Sequence, residues 1–203
     1  MIVLVTELLL VRHAPAQPAG KLYGRTDVAA DVTGQAEMVA LRQAAGPVDR
    51  WISSPAVRCR QTLRAIWGDA TQTTEDARLW EQDFGEWDGL SLANVPDIGE
   101  LSSEQLAEHR PPGGESFQDV CARVQPALLE WVARSSDERL AVVAHAGVIR
   151  AALALVFKSD DRDCQARALS FAVDPLSLTH LRVHASDTIS IACTNWRMGR
   201  VRR

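Results

Sequence analysis

Two short, unbroken apolar runs each end in a histidine. Leu8 to Val11 leads into Arg12-His13, and Leu140 to Ala144 leads into His145. A strand with one wet face alternates apolar and polar residues. An unbroken apolar run is instead the pattern of a strand covered on both faces. Such strands belong to mostly parallel sheets with helices above and below. Helical patterns separate the strand-like runs. Thr33 to Ala45 reads as a helix stopped by Gly46-Pro47, and Asp49 to Ser53 as a short second strand. A further helix follows, with Ser54 as its cap and Pro55 in its first position, where a missing N–H costs nothing. Ser116 begins a longer helix, with Asp119 completing a capping pattern, and Gly147 to Phe157 is an apolar helix. Runs around Leu176 to Val183 and Thr188 to Thr194 end the chain. This alternation predicts an α/β fold, a three-layer α/β/α sandwich with a mostly parallel central sheet.

Parallel sheets of this kind bind ligands outside the carboxyl ends of their strands. His13, Arg58 and His145 each lie just past a predicted strand, with Arg12 beside His13. Three separate segments thus bring reactive groups to one edge. Planar guanidiniums hold a phosphate monoester through paired, charge-assisted hydrogen bonds. A neutral imidazole can attack phosphorus, and a second, protonated imidazole can offset charge on the equatorial oxygens. The start of the helix near Ala146-Gly147 adds backbone N–H donors. The departing alkoxide still needs a proton. Glu81, among bulky neighbours in Leu79-Trp80-Glu81-Gln82-Asp83-Phe84-Gly85, is the candidate donor. Asp83 reads as a turn carboxylate.

The rest of the chain narrows the alternatives. At 203 residues it fits one domain, 1–203, with an irregular stretch over about 84–112 in the position of a lid. A net charge of −4 argues against a general nucleic-acid partner, and the basic end at Arg197, Arg200, Arg202 and Arg203 reads as solvated. Four scattered cysteines with no C-x-x-C spacing suit a reducing, cytoplasmic setting and no structural zinc site. No run is long enough to span a membrane, and the apolar start lacks a signal peptide's basic flank. His180 and His184 have the i,i+4 spacing of zinc ligands on a helix, but their segment reads as a strand with a solvated face. No cofactor or metal is expected, and the chain is expected to act as a monomer or homodimer.

Taken together, the motifs resemble the histidine phosphatase superfamily, the phosphoglycerate-mutase-like fold. They are Leu10-Val11-Arg12-His13-Ala14, Ser53 to Arg58 with Gln61-Thr62, Trp80-Glu81 through Asp88-Gly89, Gly113-Gly114-Glu115-Ser116, and Val142 to Gly147. The resemblance implies a phosphorylated His13, a phosphoryl group held by Arg12, Arg58 and His145, and Glu81 as proton donor and then base for water. It implies no metal. Ala14 and Ala146 stand where glycines are usual. Ala16 replaces a frequent hydroxyl residue, leaving Gln17 as the nearest polar side chain. Residues 22–27 (LYGRTD) and 83–89 (DFGEWDG) resemble the α-ribazole phosphatase branch of cobalamin biosynthesis, so Arg25 joins the candidate substrate-binding residues. The expected reaction is hydrolysis of a small-molecule phosphate monoester such as α-ribazole 5′-phosphate. A broad-specificity phosphatase, a mutase and a non-catalytic phospho-ligand binding domain are the alternatives.

Overall fold

A computed structural model describes residues 5–69, 72–157, 162–184 and 188–199. Its strands are β1 (Val5–Arg12), β2 (Arg50–Ser53), β3 (Thr73–Glu75), β4 (Arg139–Ala144), β5 (Leu178–His184) and β6 (Ile189–Trp196). Its helices are α1 (Gln35–Ala45), α2 (Val57–Trp67), α3 (Ser103–Glu108), α4 (Phe117–Ala133), α5 (Ala146–Ala154) and α6 (Arg162–Arg167). The strands form one sheet in the order β3-β2-β4-β1-β5-β6. β1 to β4 are mutually parallel, β5 is antiparallel to β1, and β6 is antiparallel to β5. The expected α/β/α layering with a mostly parallel sheet is therefore present.

The apolar runs explain the layering. Side chains alternate across a strand, so a continuous run feeds both faces at once. Leu8 and Leu10 of β1 enter one core with Val120, Val124 and Leu128 of α4 and Val148, Ile149 and Ala152 of α5. Leu9 and Val11 enter the other with Met38 and Leu41 of α1 and Cys59, Leu63 and Ile66 of α2. The chain thus leaves β1 toward one face and β4 toward the other. Their carboxyl ends, paired as Arg12 with Ala144, flank the crevice where the winding reverses.

Local signals mostly work as expected. Ser116 and Asp119 form the capping box of α4, which runs without interruption through Pro126. Ser54 does not cap α2. That helix starts at Val57, whose N–H is taken by the Asp27 carboxylate at 2.7 Å. The stretch from 84 to 112 holds only short turns and α3, itself opened by a Ser102–Gln105 capping box. The short strand β3 and the helix α6 carry too little periodicity for the sequence reading to find. His180 lies on β5 as expected but is half-buried against Glu7, at 3.5 Å, rather than solvated. Among the described residues no helix is long and apolar enough to cross a membrane. Arg197 pairs with Asp174 at 3.6 Å, while Arg200, Arg202 and Arg203 lie outside the described residues.

Candidate active site

β1 hands its last residue, Arg12, and the next, His13, to the crevice. The His13 N–H still continues the ladder, donating to Ala144 O at 3.0 Å, so the two histidine segments are fixed to each other by backbone. The His13 and His145 rings meet edge to face with centroids 5.1 Å apart. His13 Nδ1 lies 2.6 Å from the carbonyl of Ala14. A carbonyl only accepts, so Nδ1 carries the proton and Nε2 keeps its lone pair. Burial, opposed by that hydrogen bond and reinforced by Arg58 and Arg12, lowers the pKa of His13 to about 3. At neutral pH the imidazole is uncharged and nucleophilic.

His145 sits one layer deeper, with no exposed surface. Its Nε2 is 2.8 Å from Ser54 Oγ, which also accepts the Ala56 N–H at 3.4 Å. Trp80 stacks over the ring in a near-parallel arrangement, 6.3 Å between centroids. Burial first, then repulsion from His13, Arg58 and Arg12, holds its pKa well below 6.5. The imidazole expected to be protonated is therefore held neutral by its surroundings. A bound dianion would supply the charge that favours its protonation.

Arg58, in the first turn of α2, is fully buried. Nη1 and Nη2 donate to the carbonyls of Thr26 at 3.0 Å and Gly24 at 2.8 Å. The Nε atoms of Arg58 and of Arg12 are buried without a hydrogen-bond partner. Arg12 otherwise donates to Val173 O at 2.5 Å, and burial lowers its pKa. One buried and one half-buried guanidinium, each with an unused Nε–H, stand beside two neutral imidazoles and form a centre of positive potential with capacity for an anion.

Glu81 enters from the loop that follows the turn at Ala77–Leu79. Its carboxylate accepts the N–H of Gly147, at the start of α5, at 3.0 Å through Oε1. A Cβ at position 147 would fall on that same oxygen, so glycine is needed there for close approach. Glu81 lines a cavity of about 440 Å³ together with Arg12, His13, Ala146, Gly147 and Arg150. Lys21, Leu22, Phe84, Leu92, Phe117 and Leu169 build its outer wall. Arg58 and His145 stand behind this lining rather than in it.

Arg25 does not reach the cavity. Its guanidinium lies over the Trp80 ring at 5.8 Å and pairs with Glu115 at 3.5 Å and Asp83 at 4.0 Å. Gln17 is also turned away, exposed and bonded toward Asp31. Asp83 closes a turn by accepting the Gly85 N–H at 2.8 Å, as read from the sequence. Arg150 and Arg123 were not singled out from the sequence. Arg150 is the lone charge in the apolar run of α5, and that was a usable signal. A second cleft of about 500 Å³ lies between α2 and β3, away from the strand-end residues. Its arginines are paired, Arg60 with Glu75 at 3.7 Å and Arg64 with Asp69 at 3.0 Å. No cluster of three or more metal-binding side chains occurs among the described residues.

A sequence profile of the histidine phosphatase superfamily (branch 1) matches residues 8–196. The glucosyl-3-phosphoglycerate phosphatase of Mycobacterium tuberculosis is 27% identical over 172 residues, 74% of this chain and 75% of that one. A solved structure of a mycobacterial glucosyl-3-phosphoglycerate phosphatase with VO3 superposes with a TM-score of 0.79 at 26% identity, over 93% of this chain and 98% of that one. The metal-independent phosphoserine phosphatase of Arabidopsis thaliana is 30% identical over 159 residues, 72% of this chain and 67% of that one. A putative α-ribazole-5′-P phosphatase from Escherichia coli shares the fold, with a TM-score of 0.77 at 19% identity over 94% of this chain and 96% of that one.

Proposed function

The chain belongs to the histidine phosphatase superfamily, and from that premise we propose a metal-independent phosphomonoesterase that works through a phosphohistidine. The observation that carries the reading is the state of His13. It is buried and neutral, its proton is fixed on Nδ1 by Ala14, and it opens onto the cavity beside Arg12. In this reading Nε2 attacks phosphorus and the bond to the leaving oxygen breaks. Arg12, Arg58 and His145 hold the phosphoryl group with the backbone at Ala146. Glu81 gives its proton to the departing alkoxide, then takes one from the water that hydrolyses the phosphohistidine.

The leaving group faces the outer wall, and residues 84–112 act as a lid of which Phe84 and Leu92 reach the cavity. The finer assignment is α-ribazole 5′-phosphate, supported by the resemblance of residues 22–27 and 83–89 and by an apolar wall suited to a ring-bearing leaving group. Free thiols at Cys59, Cys121 and Cys193 fit a cytoplasmic setting. Two measurements test the proposal. Labelled phosphomonoester should leave acid-labile, alkali-stable label on the protein, absent from His13→Ala. A panel of α-ribazole phosphate, 3-phosphoglycerate, phosphoserine and sugar phosphates should rank α-ribazole phosphate first in kcat/KM. Another preference would replace the substrate and leave the chemistry standing.

A further inference from the structure

The segment from Arg78 to Asp83 carries Glu81 along the crevice without joining a strand, so its backbone groups must find partners elsewhere. One side chain serves three of its carbonyls. Arg123, on α4, donates through Nη1 to the carbonyls of Arg78 and Trp80, both at 2.8 Å. Through Nη2 it donates to the carbonyl of Glu81 at 2.9 Å. Its Nε and Nη2 also grip the two carboxylate oxygens of Glu115, each at 2.9 Å. Glu115 then closes the frame from the other side. Its Oε2 accepts the Asp83 N–H at 3.0 Å, and its own N–H donates to Asp83 O at 2.8 Å. Its carbonyl accepts from Gln82 Nε2 at 2.6 Å.

We propose that Arg123, oriented by Glu115, is the positioning residue for the acid–base carboxylate of Glu81. The inference rests on the proposed acid role of Glu81. Arg123 does not line the cavity, so it acts through the backbone it holds. Only a planar fork of five donors can serve three carbonyls and a carboxylate at once; an ammonium cannot. Burial raises the pKa of Glu115, but the bonds from Arg123 outweigh it and hold the group below the usual carboxylate range. Glu115 is therefore held as the carboxylate that Arg123 grips.

A misplaced acid matters only when the leaving group needs its proton. Arg123→Lys and Arg123→Met should therefore lower kcat/KM for an alkyl phosphate such as glycerol phosphate by roughly tenfold to a hundredfold. They should lower kcat/KM for p-nitrophenyl phosphate, whose phenolate leaves unaided, by no more than about twofold. In a Glu81→Gln background, Arg123→Met should add no further selective loss. Equal losses on both esters, or losses that add to those of Glu81→Gln, would reduce the clamp to a structural brace and overturn the proposal. A Glu81→Gln enzyme without leaving-group selectivity would instead sink the acid assignment itself, and the two failures are told apart by that reference arm. Thermal melts accompany each variant. If Arg123→Met does not fold, Arg123→Lys and Glu115→Gln carry the same comparison.

Discussion

The floor of the crevice and its outer wall are built on different principles. Arg12, His13 and His145 stand at the ends of β1 and β4, and ladder hydrogen bonds between buried strands fix their relative positions. The outer loops are joined by isolated bridges and scattered backbone bonds instead, such as Leu22 N–H to Leu90 O at 2.9 Å and Gly89 N–H to Leu22 O at 2.7 Å. Asp88 accepts the N–H groups of Gly24, Arg25 and Thr26 at 3.1, 2.7 and 2.9 Å. The carbonyls of Gly24 and Thr26 in turn anchor Arg58. A Cβ at Gly24 would collide with the carbonyl of Gln82, so the two loops touch backbone to backbone. Arg12, His13 and His145 are thus placed by the sheet, while the loops that shape the substrate space are held by isolated backbone bonds and by charged side chains such as Asp88. Damage to the floor should abolish chemistry; damage to the loops should loosen it.

The largest effect tests the floor. His13→Ala should cut kcat/KM by at least about 10³-fold, because nothing else in the crevice replaces the nucleophile. Residual turnover near wild type would break the distinction outright. Acid should strain the same floor. Folded His13 titrates near 3 against 6.5 when unfolded, so below pH 6.5 the unfolded chain binds more protons. Stability therefore falls as pH drops from 6.5 toward 3, by about 2 kcal/mol from this group between pH 6.5 and 5. Thermal melts across that range check the sign, and a flat profile would contradict a neutral buried imidazole. Asp88→Ala should loosen the wall, costing about 2 kcal/mol of stability and roughly tenfold in kcat/KM through Arg58. Arg25→Met should do least. Arg25 is partly exposed and outside the cavity, so stability should change by less than about 1 kcal/mol and kcat/KM by less than about twofold. A large loss there would return Arg25 to the substrate and blur the boundary between the two regions.

The same contrast decides what was legible in the sequence. Strand ends can be read because burial on both faces leaves an unbroken apolar signature, and a polar residue that closes such a run marks the sheet edge. Arg12, His13 and His145 were found that way. Arg58 was placed correctly in its first helical turn, although the cap beneath it was misassigned. A serine before proline is a good local cap, but here Ala56 is still extended and the helix starts only at Val57. Arg25 was assigned to the substrate from its loop, and its guanidinium lies outside the cavity lining. Its loop resembles a substrate motif, yet the shared residues serve Asp88 and Arg58, a scaffold that different substrates can share. Arg123 stayed hidden because the carbonyls it holds lie 42 to 45 residues away and leave no pattern of side-chain types, while its pairing with nearby Glu115 looks like any local ion pair.

Arg58 has an evolutionary consequence. Its guanidinium is sealed from solvent and tied to main-chain oxygens, which do not change when side chains mutate. Lys21, Leu22, Phe84, Leu92 and Leu169 face the cavity without supporting that guanidinium. A lineage can therefore replace them one at a time, and each replacement redraws the list of acceptable alcohols while the means of breaking the phosphate ester is inherited intact.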